Sequence, residues 1–473
     1  METARVRTQE LSAKNSEYAI VSPVTGEALA EHREPGSTQL QSLIKNLSST
    51  SIAQEPDLRQ RCNALRALAD LLEKDTEYLA TTITLENGCP SNQAEALQVH
   101  SATALLRSMA DLGERFQFEE VRPAARGGQV RVIKHPVGPC LGIVPWNVPL
   151  FLACAKLSSA LIAGCPILLK PSPENTLSMQ RFAEHLSKLP LPEGYLQVLI
   201  GGRECGASLV ASSAFKKVSF TGSSQAGRSV ARACADRLAR CTLELGGKSA
   251  AILLDDVELD AVHHQLFLAM LQNNGQVCGA QSRLLVPSCR YQELRAALVE
   301  MFDRLEVGDS RTASTDIGPV VSADAARRIK AMAQRATDEG LGLLNQPSAA
   351  ERDYTTSALV APRLLETNHA DSELWQEEVF GPVVVMHRYD DLNQAIALAN
   401  RSHYGLSGSI WSKDTERAEA VARQLRTGTI GINSKKILDF AAPFGGWRDS
   451  GLGREFGPEG VEEYLEYSSI LTN

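Results

Sequence analysis

One thiol is set apart by its surroundings. Cys278 lies in the stretch 273–283, NNGQVCGAQSR, among polar residues and between Gly275 and Gly279. Glycine lets a backbone come close to a ligand. A thiol is the best nucleophile near neutral pH among the uncharged side chains. A free cysteine taken alone is more often a small buried hydrophobe, so the rest of the chain must supply the case for chemistry. Four other places carry reactive or binding residue types, each at the end of a short apolar run. Pro145-Trp146-Asn147 follows the run 140–144, and Lys170 follows 166–169. Thr221-Gly222-Ser223-Ser224-Gln225-Ala226-Gly227 follows 218–220. Glu244 sits near the end of 242–245, just before Gly246-Gly247-Lys248. A glycine turn that enters a helix can hold a phosphate through backbone N–H groups and the helix dipole. The spacing here is GxxxxG, not the GxGxxG of the usual dinucleotide fingerprint. Singly, Lys170 reads as a solvated charge and Glu244 as a surface carboxylate or helix cap. Their common position at the ends of apolar runs is what counts.

Elements that place residues this way alternate between strand and helix. The runs 140–144, 166–169, 196–200, 218–220, 242–245 and 251–254 read as strands, with helices at 148–163 and 225–239. Such alternation implies a parallel sheet covered on both faces, and ligands collect at the carboxyl ends of its strands. The stretch 257–271 reads as a buried helix before the Cys278 loop, and 284–286 as a short strand after it. Further strands are expected at 383–386, 408–411 and 429–432. Upstream, the first 37 residues are polar and broken by Pro23, Gly26 and Pro35, which suggests a surface arm with short extended pieces. From Thr38 to Phe116 the pattern is helical, with Leu65, Leu68 and Leu72 on one face. GGQVRVIKH within 117–135 reads as a hairpin. A polar two-stranded ribbon cannot bury itself, so it is expected to pack on another subunit.

Composition narrows the class. The chain has 473 residues, 43% hydrophobic and 22% charged, an ordinary globular balance with length for about two to four domains. The net charge of -8 argues against nucleic acid. No apolar run approaches about 20 residues, so no membrane span is expected. The first 18 residues lack an apolar signal core. Ten cysteines without a CxxC pair argue against a disulfide framework or a zinc site, so no metal and a reducing, cytoplasmic setting are expected.

PWNVP (145–149), LKPSPENT (169–176), FTGSSQAG (220–227), LELGGK (243–248), GQVC (275–278), EEVFGPV (377–383) and PFGGWRDSGLGRE (443–455) resemble, in order and spacing, the signature set of the NAD(P)-dependent aldehyde dehydrogenase superfamily. SPVTGEALA (22–30) is similar to the family's N-terminal strand pair. The resemblance implies an α/β fold: a Rossmann-like cofactor domain of residues 1–116 and 137–245, a second αβ catalytic domain of 246–446, and a small β oligomerisation element of 117–136 and 447–473. It implies a homodimer or homotetramer that oxidises a small-molecule aldehyde to its carboxylic acid.

The same resemblance implies roles. Cys278 would add to the aldehyde and form a thiohemiacetal, then a thioester. Asn147 and the Cys278 backbone N–H would stabilise the oxyanion. Glu244 would activate water, and Lys156 would relay protons. Lys170 would bind the adenosine ribose, Gly222, Ser223 and Gly227 would meet the pyrophosphate, and Trp146 and Leu245 would contact the nicotinamide half. Glu378 would bind the nicotinamide ribose, with Phe380 packed close by. One departure concerns cofactor choice. Many NAD-using members carry a glutamate three residues after the lysine; here that position is Pro173, with Glu174 one residue late. Its absence weakens discrimination against NADP. No arginine stands beside Pro173, so NAD is expected, with NADP still allowed.

Three rivals remain. A CoA-acylating member generally lacks the base that Glu244 supplies. A lens-type structural protein on the same fold would not need Cys278, Glu244 and Asn147. A cysteine hydrolase would need His263 or His264, which sit in an apolar helical stretch without triad spacing. For the substrate tunnel, Val148 and Ala155 are small where many relatives carry aromatics. Leu438 and Phe440 are candidate wall residues, and Lys435 and Lys436 candidates for the mouth. A hydrophobic aldehyde, aromatic or long-chain, is therefore expected, with an acidic semialdehyde held by the lysines as the competitor.

Overall fold

The computed structural model describes residues 17–49 and 56–472; the expectations for 1–16, including the missing signal core, lie outside them. Strands β1 (Glu17–Val21) and β2 (Ala28–Arg33) form an antiparallel ribbon around a turn at Gly26. The ribbon is not a free arm. Ser22 Oγ donates to the carbonyl of Leu85, and Thr356 and Tyr354 donate through their hydroxyls to the carbonyls of Pro23 and Val24. Ile20, Val24 and His32 are buried. Pattern reading missed this because the residues that bury the ribbon are distant in sequence.

Helices Ser37–Ser49, Leu58–Lys74, Thr76–Asn87 and Ser101–Arg115 occupy the expected helical region. Leu65, Leu68 and Leu72 are fully buried. Asp57 closes a capping box with Gln60, which fixes where the second helix begins.

The hairpin is β3 (Glu119–Pro123) and β4 (Gln129–Pro136). Then come β5 (Cys140–Val144), β6 (Ile167–Pro171), β7 (Leu196–Val198), β8 (Lys217–Thr221) and β9 (Arg240–Glu244), all parallel, in the spatial order β9-β8-β5-β6-β7. From β5 the chain moves outward through β6 and β7, then returns to the other side of β5 for β8. The topological switch lies between β5 and β8, where an open parallel sheet leaves its crevice. The helix Pro149–Ala163 after β5 is buried on nearly every side, with Pro149 at its start and a left-handed Gly164 at its end.

The second sheet holds β10 (Ala250–Leu253), β11 (Arg283–Pro287), β12 (Gly342–Leu343), β13 (Arg363–Thr367), β14 (Val383–Tyr389), β15 (Ser407–Trp411) and β16 (Thr429–Ile432). Its order is β12-β13-β14-β11-β10-β15-β16, parallel except for β12. The chain then returns. β17 (Gly451–Leu452) pairs antiparallel with β9 and so joins the first sheet, although 447–473 was expected to belong wholly to the small element. Leu245 N–H donates to the Ser450 carbonyl and Ser450 Oγ to that of Gly246, bonds that draw this segment to the end of β9. β18 (Leu465–Thr472) pairs along its full length with β4, making a three-stranded sheet β18-β4-β3. Among the described residues no helix is long and apolar enough to cross a membrane.

Candidate active site

The Cys278 loop is held by strained backbone and buried amides. After the helix Leu259–Leu271, three consecutive residues are left-handed: Asn273 (φ 55°), Asn274 (φ 60°) and Gly275 (φ 72°). Two of them are not glycine, a costly arrangement that persists only where the surroundings over-determine it. Asn274 Nδ2 donates to the carbonyls of Gly88 and Pro319, while its Oδ1 accepts from Gly318 N–H. Gln276 Oε1 accepts from Val321 N–H. The chain therefore reverses direction, and Cys278 emerges half-buried into a cleft of about 800 Å³ between the two sheets.

Asn147 faces the same cleft and is 5% exposed. Its backbone carbonyl accepts from the side-chain amides of Asn87, Gln98 and Asn273, each at 3.0 Å. Its own Nδ2 donates to the Gln276 carbonyl at 2.9 Å. Amide and thiol are thus tied to one loop. Trp146 and Phe380 meet edge to face, with ring centroids 5.5 Å apart, on the cleft wall. Gly222, Ser223, Leu245 and Glu378 also line it. Ser223 caps the helix Ser224–Ala235 by accepting from Ala226 N–H. Glu378 Oε1 accepts from Gly247 N–H at 3.0 Å, and burial pushes its carboxyl up to about 7. A Cβ on Gly246 would stand 2.2 Å from Glu378 Oε2, and one on Gly247 would stand 2.6 Å from the Cys278 carbonyl. Only glycine lets this turn lie against both groups.

The other expected residues lie off the cleft. Glu244 is 3% exposed, with neither carboxyl oxygen hydrogen-bonded. It faces Gly445, where a Cβ would stand 2.8 Å from Glu244 Oε1. Burial, then the charge of Glu455, pushes its carboxyl well above the usual range. Lys156 is fully buried inside the helix Pro149–Ala163. Its Nζ donates to Ser219 Oγ (3.0 Å), Thr221 Oγ1 (2.8 Å) and Glu455 Oε1 (2.7 Å). Glu455 stands at the end of the motif PFGGWRDSGLGRE, and its pairing with Lys156 across 299 residues has no local signal in the sequence. Gly227, expected at the pyrophosphate, packs under Leu245, whose Cδ2 would stand 2.5 Å from a Cβ there. Lys170 and Pro173 sit at the end of β6 and just beyond it, and Lys170 Nζ donates to the Gly202 carbonyl at 3.3 Å.

Burial, then the charges of Glu378 and Glu244, pushes the Cys278 thiol up to about 12. It rests as a thiol, and its reactivity rises with pH. Deeper in, Phe151, Phe440, Phe444 and Phe456 form an aromatic cluster with centroids 5.8–6.2 Å apart. Buried Val148 and Ala155 belong to the same core, against which Cys278, Leu438 and Phe440 pack. Val148, expected as the first residue of the helix after β5, precedes it as its cap residue. His263 and His264 do not line the cleft.

The whole chain, and not only this cleft, has relatives among known proteins. The model of the aldehyde dehydrogenase family matches residues 11–470. The chain is 39% identical over 415 residues to a geranial dehydrogenase of Castellaniella defragrans, covering 88% of this chain and 86% of that protein. It is 38% identical to a 3-succinoylsemialdehyde-pyridine dehydrogenase of a Pseudomonas species, covering 87% and 86%. The solved aldehyde dehydrogenase of Mycobacterium tuberculosis, complexed with NAD+, superposes with a TM-score of 0.92 at 34% identity, over 98% of this chain and 96% of that one. The chain belongs to the aldehyde dehydrogenase family and oxidises an aldehyde to its carboxylic acid.

Proposed function

We propose that this enzyme takes NAD in preference to NADP and oxidises hydrophobic aldehydes through a covalent intermediate on Cys278. The Cys278 sulfur, having lost its proton, bonds to the aldehyde carbon and leaves a thiohemiacetal oxyanion. The Asn147 amide and the Cys278 N–H stabilise that oxyanion, and losing one such donor costs roughly 10²–10³-fold in rate. NAD held by Trp146, Leu245 and Glu378 would supply the hydride acceptor, and the Cys278 adduct, on giving up that hydride, would be left as a thioester. Glu244 takes a proton from water, the hydroxide displaces the thiolate, and the acid leaves. Lys156 and Glu455, in whose field Glu244 sits, offer that proton a route away.

Residues fit the dinucleotide at several points. The cleft volume lies within the usual range for ligand sites. The turn Thr221–Ser224 opens a helix whose first N–H groups suit an anionic pyrophosphate, held by Gly222 and Ser223. Trp146, Leu245 and Phe380 would hold the nicotinamide half, Glu378 its ribose, and Lys170 the adenosine ribose. We assign 1–116 and 137–245 to cofactor binding, 246–446 to catalysis, and 117–136 with 465–472 to oligomerisation. Val121, Ile470 and Leu471 are exposed on the three-stranded sheet, which supports a dimer or tetramer. Light scattering of the purified enzyme tests this, and a monomer at micromolar concentration would refute it. Ten free thiols support a reducing, cytoplasmic setting.

The substrate preference rests on one observation: the small Val148 and Ala155 belong to the same apolar cluster as the aromatic group Phe151, Phe440 and Phe456, and Cys278 packs against that cluster. Each additional buried CH₂ adds about 0.8 kcal/mol, so a few carbons favour the larger aldehyde by more than roughly tenfold. The competitor has its own support, since Lys435 is half-buried beside Gln272 and Ile437 in a second small hollow behind the Cys278 loop. Comparing kcat/KM for acetaldehyde, hexanal, benzaldehyde and succinic semialdehyde separates the two. Hexanal and benzaldehyde are expected to lead, and Val148→Phe to slow benzaldehyde; a win for succinic semialdehyde would assign Lys435 the recognition instead.

A further inference from the structure

Glu34 directly follows β2 of the N-terminal ribbon and shares a neighbour, Gly202, with Lys170, the residue assigned above to the adenosine ribose. Its Oε1 accepts from Gly202 N–H at 2.8 Å and from the Tyr18 hydroxyl at 3.2 Å. Lys170 Nζ donates to the carbonyl of that same Gly202. One residue therefore carries the carboxylate on its N–H side and the ammonium on its C=O side. The approach needs glycine, because a Cβ on Gly202 would stand 2.6 Å from Glu34 Oε1. Glu174, four residues after Lys170, is half-buried and held by the Ser172 hydroxyl. Burial pushes Lys170 down, and Cys205, Glu174 and Glu34 are the groups whose charges oppose that fall. Tyr18 feels the same two carboxylates, so the four side chains share one neighbourhood.

We propose that Glu34, with Glu174, makes this end of the site select a free ribose 2′-hydroxyl over a 2′-phosphate, in place of the carboxylate that Pro173 leaves out. The inference rests on the cofactor reading above. A carboxylate accepts from a hydroxyl and repels a phosphate, so one group acts in both directions. The carboxylates of Glu34 and Glu174 outnumber the Lys170 ammonium, and His32 Nε2 also stands 3.5 Å from Glu34 Oε1. Arg203, next along the chain, is exposed and followed by Glu204, so it does not reverse that excess. An acid borne by the ribbon also explains why discrimination can survive Pro173.

Isothermal titration of the purified enzyme with NAD, NADP, AMP and adenosine 2′,5′-bisphosphate tests the proposal without turnover. The wild type is expected to bind NAD and AMP more tightly than their 2′-phosphorylated counterparts. Glu34→Gln and Glu174→Gln should each narrow that ratio by about tenfold at low salt, the scale of one charge acting on a phosphate a few ångströms away. The narrowing should shrink as ionic strength rises. Glu34→Gln keeps an acceptor for Gly202 N–H, and Glu174→Gln carries the test if the ribbon variant misfolds. An unchanged ratio in a folded variant of either residue overturns that residue's part in the selection, and in both it overturns the whole. Failure of the wild type to bind either dinucleotide overturns the cofactor reading, and this inference falls with it.

Discussion

Cys278→Ala is expected to abolish aldehyde oxidation, with kcat/KM falling by at least about 10⁴-fold, the scale seen when a covalent nucleophile is removed. No other cysteine can substitute. Cys62, Cys89, Cys140, Cys154, Cys165, Cys205 and Cys234 are buried, and neither Cys241 nor Cys289 lines the cleft. Alanine removes the sulfur and little else, because the loop is held by the amides of Asn273, Asn274 and Gln276 rather than by the thiol. The variant should therefore melt within a few degrees of the wild type and still bind NAD. Turnover near the wild-type rate would remove the covalent mechanism altogether. The thiol's rise to about 12 adds a sign. The reactive form is scarce at neutral pH, so kcat/KM should increase as pH rises toward 9.

Glu244→Gln is expected to separate the two half-reactions. Glutamine keeps the shape but cannot accept a proton from water, so thioester hydrolysis should slow by about 10²–10⁴-fold, the range of general-base contributions. NADH should still appear as a pre-steady-state burst approaching one equivalent per active site. The pH dependence follows from burial. The Glu244 carboxyl is held well above its ordinary range, so it is a neutral acid at low pH and becomes a base only as pH rises through that raised value. Steady-state turnover in the wild type should climb with it, whereas the Glu244→Gln variant should lose that limb. A variant with no burst would mean that Glu244 acts before hydride transfer. A variant with full steady turnover would give the water-activating role to another group, with Glu455 the first to examine.

Much of this site was legible in the chain itself. Short apolar runs mark the strands, and a parallel sheet puts its chemistry at their carboxyl ends. Cys140–Val144 and Thr429–Ile432 are strands with the bounds their side chains suggested. Trp146, Asn147, Gly222, Ser223 and Leu245 follow strand ends and do converge on one cleft with Cys278. Periodicity and turn chemistry are local, and a strand's end is a local event.

What the fold alone decided is how distant segments meet. Glu455 pairs with Lys156 only because β17 returns to the edge of β9 and brings the following residues over the first sheet. Glu34 stands beside Gly202 only because the N-terminal ribbon packs on that domain, and β18 closes the third sheet only because it finds β4 along its whole length. Gly227 reads as a phosphate glycine by spacing, yet the helix–sheet distance makes it the floor under Leu245. The Glu244 side chain lies against Gly445, and the neighbouring Glu455, Lys156 and Arg454 decide its environment. Local side-chain preferences fix strands, turns and caps. Long-range partners depend on strand order and side-chain direction summed over the whole fold, which no window of the sequence contains.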